Sequence, residues 1–79
     1  MEIYKNLSGQ SSISHYEIAD SSITVMFKTR SKDGCDTYLY TYASAGSLKI
    51  EKMKQLAVKG IGLNTFIVQE VRKLYARKW

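Results

Sequence analysis

The apolar residues of this chain change their spacing once, close to Gly46. Before that point they alternate with polar residues, most regularly in the run TYLYTY at residues 37–42, and this period of two is typical of a strand with one buried face. After Gly46 they recur every three or four residues, which is the spacing of an amphipathic helix. Strands followed by helices in separate parts of the chain predict an α+β domain.

The alternating half of the chain predicts three strands, at residues 13–18, 23–27 and 37–42. Residues 19–22 read Ala-Asp-Ser-Ser and supply a turn between the first two strands. Between the second and third strands lies Asp33-Gly34, a strong signal for a two-residue hairpin turn, because such turns need positive φ at both central positions. The simplest topology is therefore a three-stranded antiparallel β-meander.

If Asp20-Ser21 and Asp33-Gly34 each form a two-residue turn, the registers follow by counting, and directly opposed residues share a face of the sheet. Ile18 then opposes Ile23, and Phe27 opposes Tyr40. The predicted core face holds Tyr16, Ile18, Ile23, Val25, Phe27, Tyr38, Tyr40 and Tyr42. The predicted polar face holds His15, Glu17, Thr24, Met26, Lys28, Arg30, Thr37, Leu39 and Thr41.

Two α-helices are predicted after Gly46. Ser47 can cap the first helix and Gly60 can end it, while Asn64 or Thr65 can cap the second. Their apolar stripes are Ile50, Met53, Leu56 and Ala57 in the first helix and Ile67, Val68, Val71, Leu74 and Tyr75 in the second. Each stripe needs a partner surface, so we expect both helices to pack on one face of the sheet, the tyrosine-rich one.

A chain of 79 residues supports one hydrophobic core, so residues 11–79 are expected to form a single domain. Residues 1–10 are expected to be a flexible N-terminal arm. No basic stretch leads into an apolar run there, and no window approaches the roughly 18 apolar residues of a membrane helix. We therefore expect a cytoplasmic protein without a membrane partner.

Several short motifs follow one another along most of the chain. In order they are Ser11-Ser12-Ile13, Tyr16, Ile23-x-Val25-x-Phe27, Tyr38-Leu39-Tyr40 and the run KGIGLNTFI at residues 59–67. In this order and spacing they resemble the KTSC domain, a short family named for its occurrence at the C-terminus of some lysyl-tRNA synthetases. The resemblance implies a KTSC-like domain over residues 11–79, with Tyr38, Tyr40, Gly60 and Asn64 as structural motif residues. It also implies an association with RNA, without an established activity.

Two departures from that family pattern concern loops. Residues 43–46 read Ala-Ser-Ala-Gly where the family often has a proline, and residues 30–35 lengthen the second hairpin. A function that resides in those loops does not carry over to this chain.

Positive charge is concentrated towards the end of the chain. Twelve Lys and Arg against seven Asp and Glu give a net charge of +5, and residues 70–79 contain Glu70 as their one acidic residue. Such an excess suits polyanionic partners, although cations in the last turn of a helix also complement its dipole and stay solvated. The candidate nucleic-acid-binding residues are Lys28, Arg30, Lys59, Arg72, Lys73, Arg77 and Lys78.

The sequence leaves two functions open. The first is a non-enzymatic accessory domain that binds RNA or single-stranded nucleic acid through these cations, with the tyrosines as core residues or as a platform for unpaired bases. The alternative is a protein–protein interaction module that uses Met26 and Leu39 on the polar face or an open strand edge.

No catalytic, metal or cofactor site is expected. Ser12 and His15 point to opposite faces of a strand, and no glycine-rich oxyanion loop flanks either Ser11 or Ser12. Cys35 is the only cysteine, so the chain lacks both an internal disulfide and a cluster of Cys and His ligands for a metal.

Overall fold

Five antiparallel strands form a single sheet in the computed structural model, which describes residues 1–79. The strands are β1 (Glu2–Ile3), β2 (Ile13–Ala19), β3 (Ser22–Phe27), β4 (Thr37–Thr41) and β5 (Arg77–Lys78), paired in that order. The helices are α1 (Tyr42–Ala45), α2 (Ser47–Lys59) and α3 (Leu63–Phe66), and α3 continues as a π-helical segment, Ile67–Val71. The predicted α+β class is confirmed. The predicted count of two helices is wrong, because the chain forms the additional short helix α1 directly after β4.

The predicted strand count of three is wrong, because a short strand flanks the meander on each side. Strand β1 pairs with β2 and strand β5 pairs with β4, each through two residues. A strand of two residues has no alternation to recognise, so the sequence pattern contains no sign of either. The three predicted strands are all present and differ from their expected bounds by one residue at one end.

The first ten residues, expected to be a flexible arm, lie against the domain in the structure. Tyr4 is buried in the core, and its N–H donates to the carbonyl of Ser14 at 3.0 Å. Further along, the N–H of Leu7 donates to the carbonyl of Gly60 at 2.7 Å. This segment therefore connects the sheet to the end of α2.

The first hairpin has the predicted register. Ile18 lies opposite Ile23 and Tyr16 lies opposite Val25, as a two-residue turn requires. The face that carries Ile23 and Val25 is also the one that α2 covers, so the predicted core face is the buried face. The core consists of Tyr4, Ile13, Ile23, Val25, Tyr40, Ile50, Met53, Ala57, Leu63, Ile67 and Val71.

The second hairpin does not have the predicted register. Tyr40 lies opposite Ile23 and not opposite Phe27, so β4 is displaced by four residues along β3. The predicted two-residue turn does not form. The tight turn at the tip of an irregular loop, residues 28–36, spans residues 31–34 instead, where the Gly34 N–H donates to the Ser31 carbonyl at 2.9 Å, and Gly34 has positive φ but Asp33 does not. The polar and charged side chains of this loop show no apolar alternation. An even displacement leaves the side chains of both strands on their predicted faces.

Residues 28–36 are called the β3–β4 loop below. Lys28 and Arg30, predicted on the polar face of a strand, lie in this loop instead. Two residues of the predicted core face are exposed: Ile18, next to the first turn, and Tyr42, which leaves the sheet to begin α1.

The second predicted helix ends earlier than its apolar pattern suggests. Regular helical structure stops at Val71, and Arg72 takes an unusual backbone conformation with φ 26° and ψ −97°. The chain then runs back to the sheet, where the N–H of Ala76 donates to the carbonyl of Leu39 at 2.7 Å. Backbone hydrogen bonds at the open edge of β4 thus replace a further helical turn, and Leu74, predicted in the helix stripe, is exposed.

The predicted helix caps are partly wrong. Gly46 and Gly62 occupy the cap positions before α2 and α3, so neither Ser47 nor Asn64 nor Thr65 is a cap. The side chain of Asn64 instead accepts a hydrogen bond from the Ser12 hydroxyl at 3.3 Å and connects α3 to the residue before β2.

Gly60 ends α2 as predicted. It has the left-handed conformation with φ 79°, and its N–H donates to the carbonyl of Leu56 at 2.9 Å. A Cβ at this position would lie 2.5 Å from the Cβ of Lys5, so only glycine fits where the N-terminal segment crosses the end of α2.

We expect Gly60→Ala to destabilise the protein more than Gly62→Ala does. Gly62 has a similar φ of 86°, but its added Cβ would meet only the Leu56 side chain, at 3.6 Å. The backbone conformation costs each variant about 1 kcal/mol. Displacing Lys5 should cost Gly60→Ala roughly 1–2 kcal/mol more. Urea unfolding of both variants measures the difference, and equal losses would contradict the close approach of the two segments.

Candidate functional site

A cleft of about 860 Å³ opens beside the helices on the core face of the sheet. Phe27 of β3 and Tyr38 and Tyr40 of β4 contribute its floor. The β3–β4 loop forms one wall, and the stretch that follows α3 and leads into β5 forms the other. We call this site the basic cleft.

Cations make up most of the charged lining of the basic cleft. They are Arg30, Lys32, Arg72, Lys73 and Lys78. Asp33 is the only acidic residue that lines it. Cations gathered in a concave surface with apolar walls focus the electrostatic field and raise the local concentration of anions.

The second wall depends on the return of the chain to β4. Lys78 lies opposite Tyr38 in the sheet, and Arg77 lies opposite Leu39. Opposed residues share a face, so Lys78 projects on the cleft side while Arg77 projects on the other side. Without this pairing, the end of the chain would carry its positive charge away from the tyrosines.

Aromatic rings form a connected cluster on the floor. The Tyr38 ring contacts the rings of Phe27 and Tyr75 with centroid distances of 5.6 and 5.2 Å, and Tyr40 lies 6.4 Å from Tyr75. All three pairs are edge-to-face, which is the favoured arrangement of aromatic pairs. Tyr40 is buried, whereas Tyr38 and Tyr75 are half-buried and reach the cleft.

An ion pair crosses the cleft from one wall to the other. The ammonium of Lys78 donates to the carboxylate of Asp33, which also accepts hydrogen bonds from the Ser31 hydroxyl and from the Cys35 N–H. These contacts hold the pKa of Asp33 well below its usual range, with Lys78 as the largest cause. Asp33 in turn raises the pKa of Lys78. Both groups are therefore charged at neutral pH.

The remaining cations of the cleft differ in their pairing. Arg30 lies 3.9 Å from the carboxylate of Asp36, at the base of the β3–β4 loop. Lys32, Arg72 and Lys73 are exposed and form no ion pair with an acidic side chain. These three side chains are therefore free to meet an incoming anion.

The structure brings together four of the seven candidate binding residues: Arg30, Arg72, Lys73 and Lys78 line the cleft. Three others lie elsewhere. Lys28 is at the start of the β3–β4 loop, Lys59 is in the last turn of α2, and Arg77 stacks its guanidinium 5.5 Å from the Trp79 ring. Arg77 and Lys78, predicted on the second helix, lie instead on β5.

Sequence reasoning missed Lys32 and Tyr75 as cleft residues. Lys32 was not predicted, because it stands next to Asp33-Gly34 and was assigned to the turn region. The basic run Arg30-Ser31-Lys32 could have identified it as a candidate binding residue. Tyr75 continued a helical pattern, so its position beside Tyr38 had no signal in the sequence.

Other kinds of site find less support in the geometry. No group of three or more His, Cys, Asp or Glu side chains is close enough to hold a metal ion. His15 pairs through Nδ1 with the hydroxyl of Ser14 at 3.0 Å, while the Ser12 hydroxyl is bound to Asn64. None of the helices has the length and apolar character needed to cross a bilayer.

We expect Tyr40→Phe to reduce the loss of stability at alkaline pH. Burial is the main reason that the pKa of Tyr40 lies above its ordinary value of 10.0, and the neighbouring Tyr38 and Tyr75 raise it further. A raised pKa in the folded state stabilises the protein fully below pH of about 10, and this contribution is lost as the pH rises above that value. Glu51 raises the pKa of Tyr42, which acts in the same direction, so the loss should shrink without vanishing.

Urea unfolding between about pH 8 and pH 11 measures this effect. The matched control is Tyr16→Phe, which removes a half-buried tyrosine hydroxyl outside the cleft. An equal pH dependence in wild type and Tyr40→Phe would show that Tyr40 ionises as freely in the folded protein as in the unfolded chain.

Comparisons of the chain with protein-family models, with curated proteins and with solved structures find no match. Membership of the KTSC family accordingly stays a prediction from motifs.

Proposed function

We propose that this domain binds single-stranded nucleic acid, RNA or DNA, in the basic cleft. The observation that carries the proposal is the meeting of five cations with a cluster of aromatic rings in one concave site: Arg30, Lys32, Arg72, Lys73 and Lys78 surround Phe27, Tyr38 and Tyr75. Proteins that bind single strands combine a basic groove for the backbone with aromatic side chains for the bases.

The cations favour a phosphate-bearing ligand. Lys32, Arg72 and Lys73 have no acidic partner, and they lie on the two opposite walls. A strand that runs through the cleft would therefore meet positive charge on both sides of its backbone. Such contacts make affinity steeply dependent on salt and largely independent of sequence.

The aromatic floor favours unpaired bases over a duplex. Bases in a duplex are already stacked on their neighbours, so an exposed ring contributes stacking energy only when a base is free to leave the stack. Tyr38 and Tyr75 are the half-buried tyrosines of the floor and can contact such a base. Tyr40 lies beneath them and supports the floor from the core.

A second candidate function, binding of a protein partner, rests on the face of the sheet that no helix covers. A row of opposed residues crosses this face and ends at Ile3 on one side and at Trp79 on the other, with His15, Met26 and Thr37 between them. Ile3 is 73% exposed and Trp79 is 51% exposed. An open strand edge is less suited to this role, because each edge strand has only two residues.

We expect the charge reversal Arg72→Glu/Lys73→Glu to weaken binding of single strands by about tenfold or more at low salt, since two phosphate contacts are lost. Fluorescence anisotropy with labelled RNA and DNA strands of about eight nucleotides measures it. The matched double variant Lys52→Glu/Lys59→Glu makes the same change in net charge on α2, outside the cleft, and should bind nearly as well as wild type.

The salt dependence tests the same site. Three unpaired cations predict a slope of about −2 in a plot of log affinity against log salt, at roughly −0.7 for each phosphate contact. Affinity that does not change with salt would overturn the proposal. Equal weakening by the two double variants would show that the binding site lies outside the cleft. Binding to a duplex without binding to single strands would exclude base stacking on the floor.

The aromatic contribution can be separated from the charges. We expect Tyr75→Leu to weaken binding of single strands by about 1–3 kcal/mol, the usual worth of a base stacked on an aromatic ring. Tyr75→Phe keeps the ring and should retain the affinity. Thermal melts of both variants control for folding, and equal affinities of Leu and Phe variants would show that no base stacks on this residue.

A further inference from the structure

One ion pair joins the β3–β4 loop to the opposite wall of the basic cleft. Its tip carries Asp33, the only carboxylate in the basic cleft, and this carboxylate is paired with Lys78 of β5. Within the loop, Ser31 and Cys35 hold the carboxylate with a hydroxyl and a backbone N–H. Lys78, Ser31 and Cys35 thus offer Asp33 an ammonium, a hydroxyl and an amide, which are the donor types that bind phosphate oxygens.

Few other contacts hold the tip of the loop against the opposite wall. Apart from the ion pair, the tip is joined to the sheet by a hydrogen bond from the Tyr38 hydroxyl to the Ser31 hydroxyl at 3.4 Å. Residues 28–34 are exposed and contribute nothing to the buried core. Little apolar packing therefore opposes a movement of the tip once Lys78 has another anion to bind.

Lys78 is well placed to exchange one anion for another. Its ammonium lies 5.5 Å from the centre of the Tyr75 ring, on the cleft side of β5. A base on the aromatic floor would bring its own phosphate within reach of this ammonium. The carboxylate of Asp33 and that phosphate would then compete for the same donor.

We propose that the Asp33 carboxylate competes with the phosphates of the bound strand for the ammonium of Lys78. A phosphate that binds Lys78 displaces Asp33 and frees the tip of the β3–β4 loop. This inference rests on the proposed function. It makes Lys78 a phosphate ligand that is masked in the free protein, and it assigns the loop tip as the part that moves on binding.

The test is a double-mutant cycle measured with the same labelled single strands. Asp33→Asn should raise affinity by about threefold or more at low salt and steepen the salt slope by roughly 0.7, since one more cation is available to a phosphate. Asp20→Asn makes the same change in net charge at the other hairpin turn and should leave affinity nearly unchanged. Lys78→Gln should weaken binding, and adding Asp33→Asn to it should restore nothing.

Each outcome of the cycle decides the matter. A gain from Asp33→Asn that persists in the Lys78→Gln background would reflect the general field of the cleft and overturn the competition at Lys78. An unchanged affinity of Asp33→Asn, with salt-dependent binding by the wild type, would overturn the inference and leave the proposed function standing. If neither the wild type nor Asp33→Asn binds single strands, the proposed function and this inference are both overturned. If Asp33→Asn binds and the wild type does not, both are supported. Thermal melts of every variant confirm folding.

Discussion

The basic cleft depends on backbone pairing between the end of the chain and the open edge of β4. The N–H of Trp79 donates to the carbonyl of Thr37 at 2.9 Å, and the carbonyl of Trp79 accepts from the N–H groups of Asp36 and Thr37. This pairing ends the helical stretch at Val71 and brings Tyr75 and Lys78 onto the tyrosine face. A continued helix would have paired the backbone of residues 72–79 within itself, but it would have left the edge of β4 without these hydrogen bonds and the tyrosines without their second wall.

The three tyrosines of the cleft differ in burial. Tyr40 lies in the core with Ile50 and Met53 of α2, so its ring is committed to packing. Tyr38 and Tyr75, nearer the loop, are only partly covered. The same strand therefore anchors the fold at one end and presents an aromatic surface at the other. The neighbouring wall is a polar loop that contributes no residue to the core.

The sequence predicted the parts of the fold whose information is local. Alternation and a two-residue turn determine the first hairpin, so the opposition of Ile18 and Ile23 was predictable. Counting outward from Asp33-Gly34 fails, because the tight turn is centred one residue earlier, on Lys32 and Asp33, and the polar residues of the loop do not continue the pairing of β3 with β4. The faces were still assigned well, since the displacement of β4 is even. Four of the five cations of the cleft were recognised one by one, and Lys32 was missed. Their convergence depends on contacts between residues distant in the chain.

The two-residue edge strands have a consequence for how the molecules behave at high concentration. A sheet grows by adding a strand to a row of free N–H and C=O groups, and long flat edges are the usual route to aggregation. Here β1 and β5 each offer such groups over two residues, and Lys78 places a charge on one of these edges. Copies of the domain therefore have little edge along which to join their sheets, because the tyrosine-rich strand β4 lies inside the sheet, between β3 and β5.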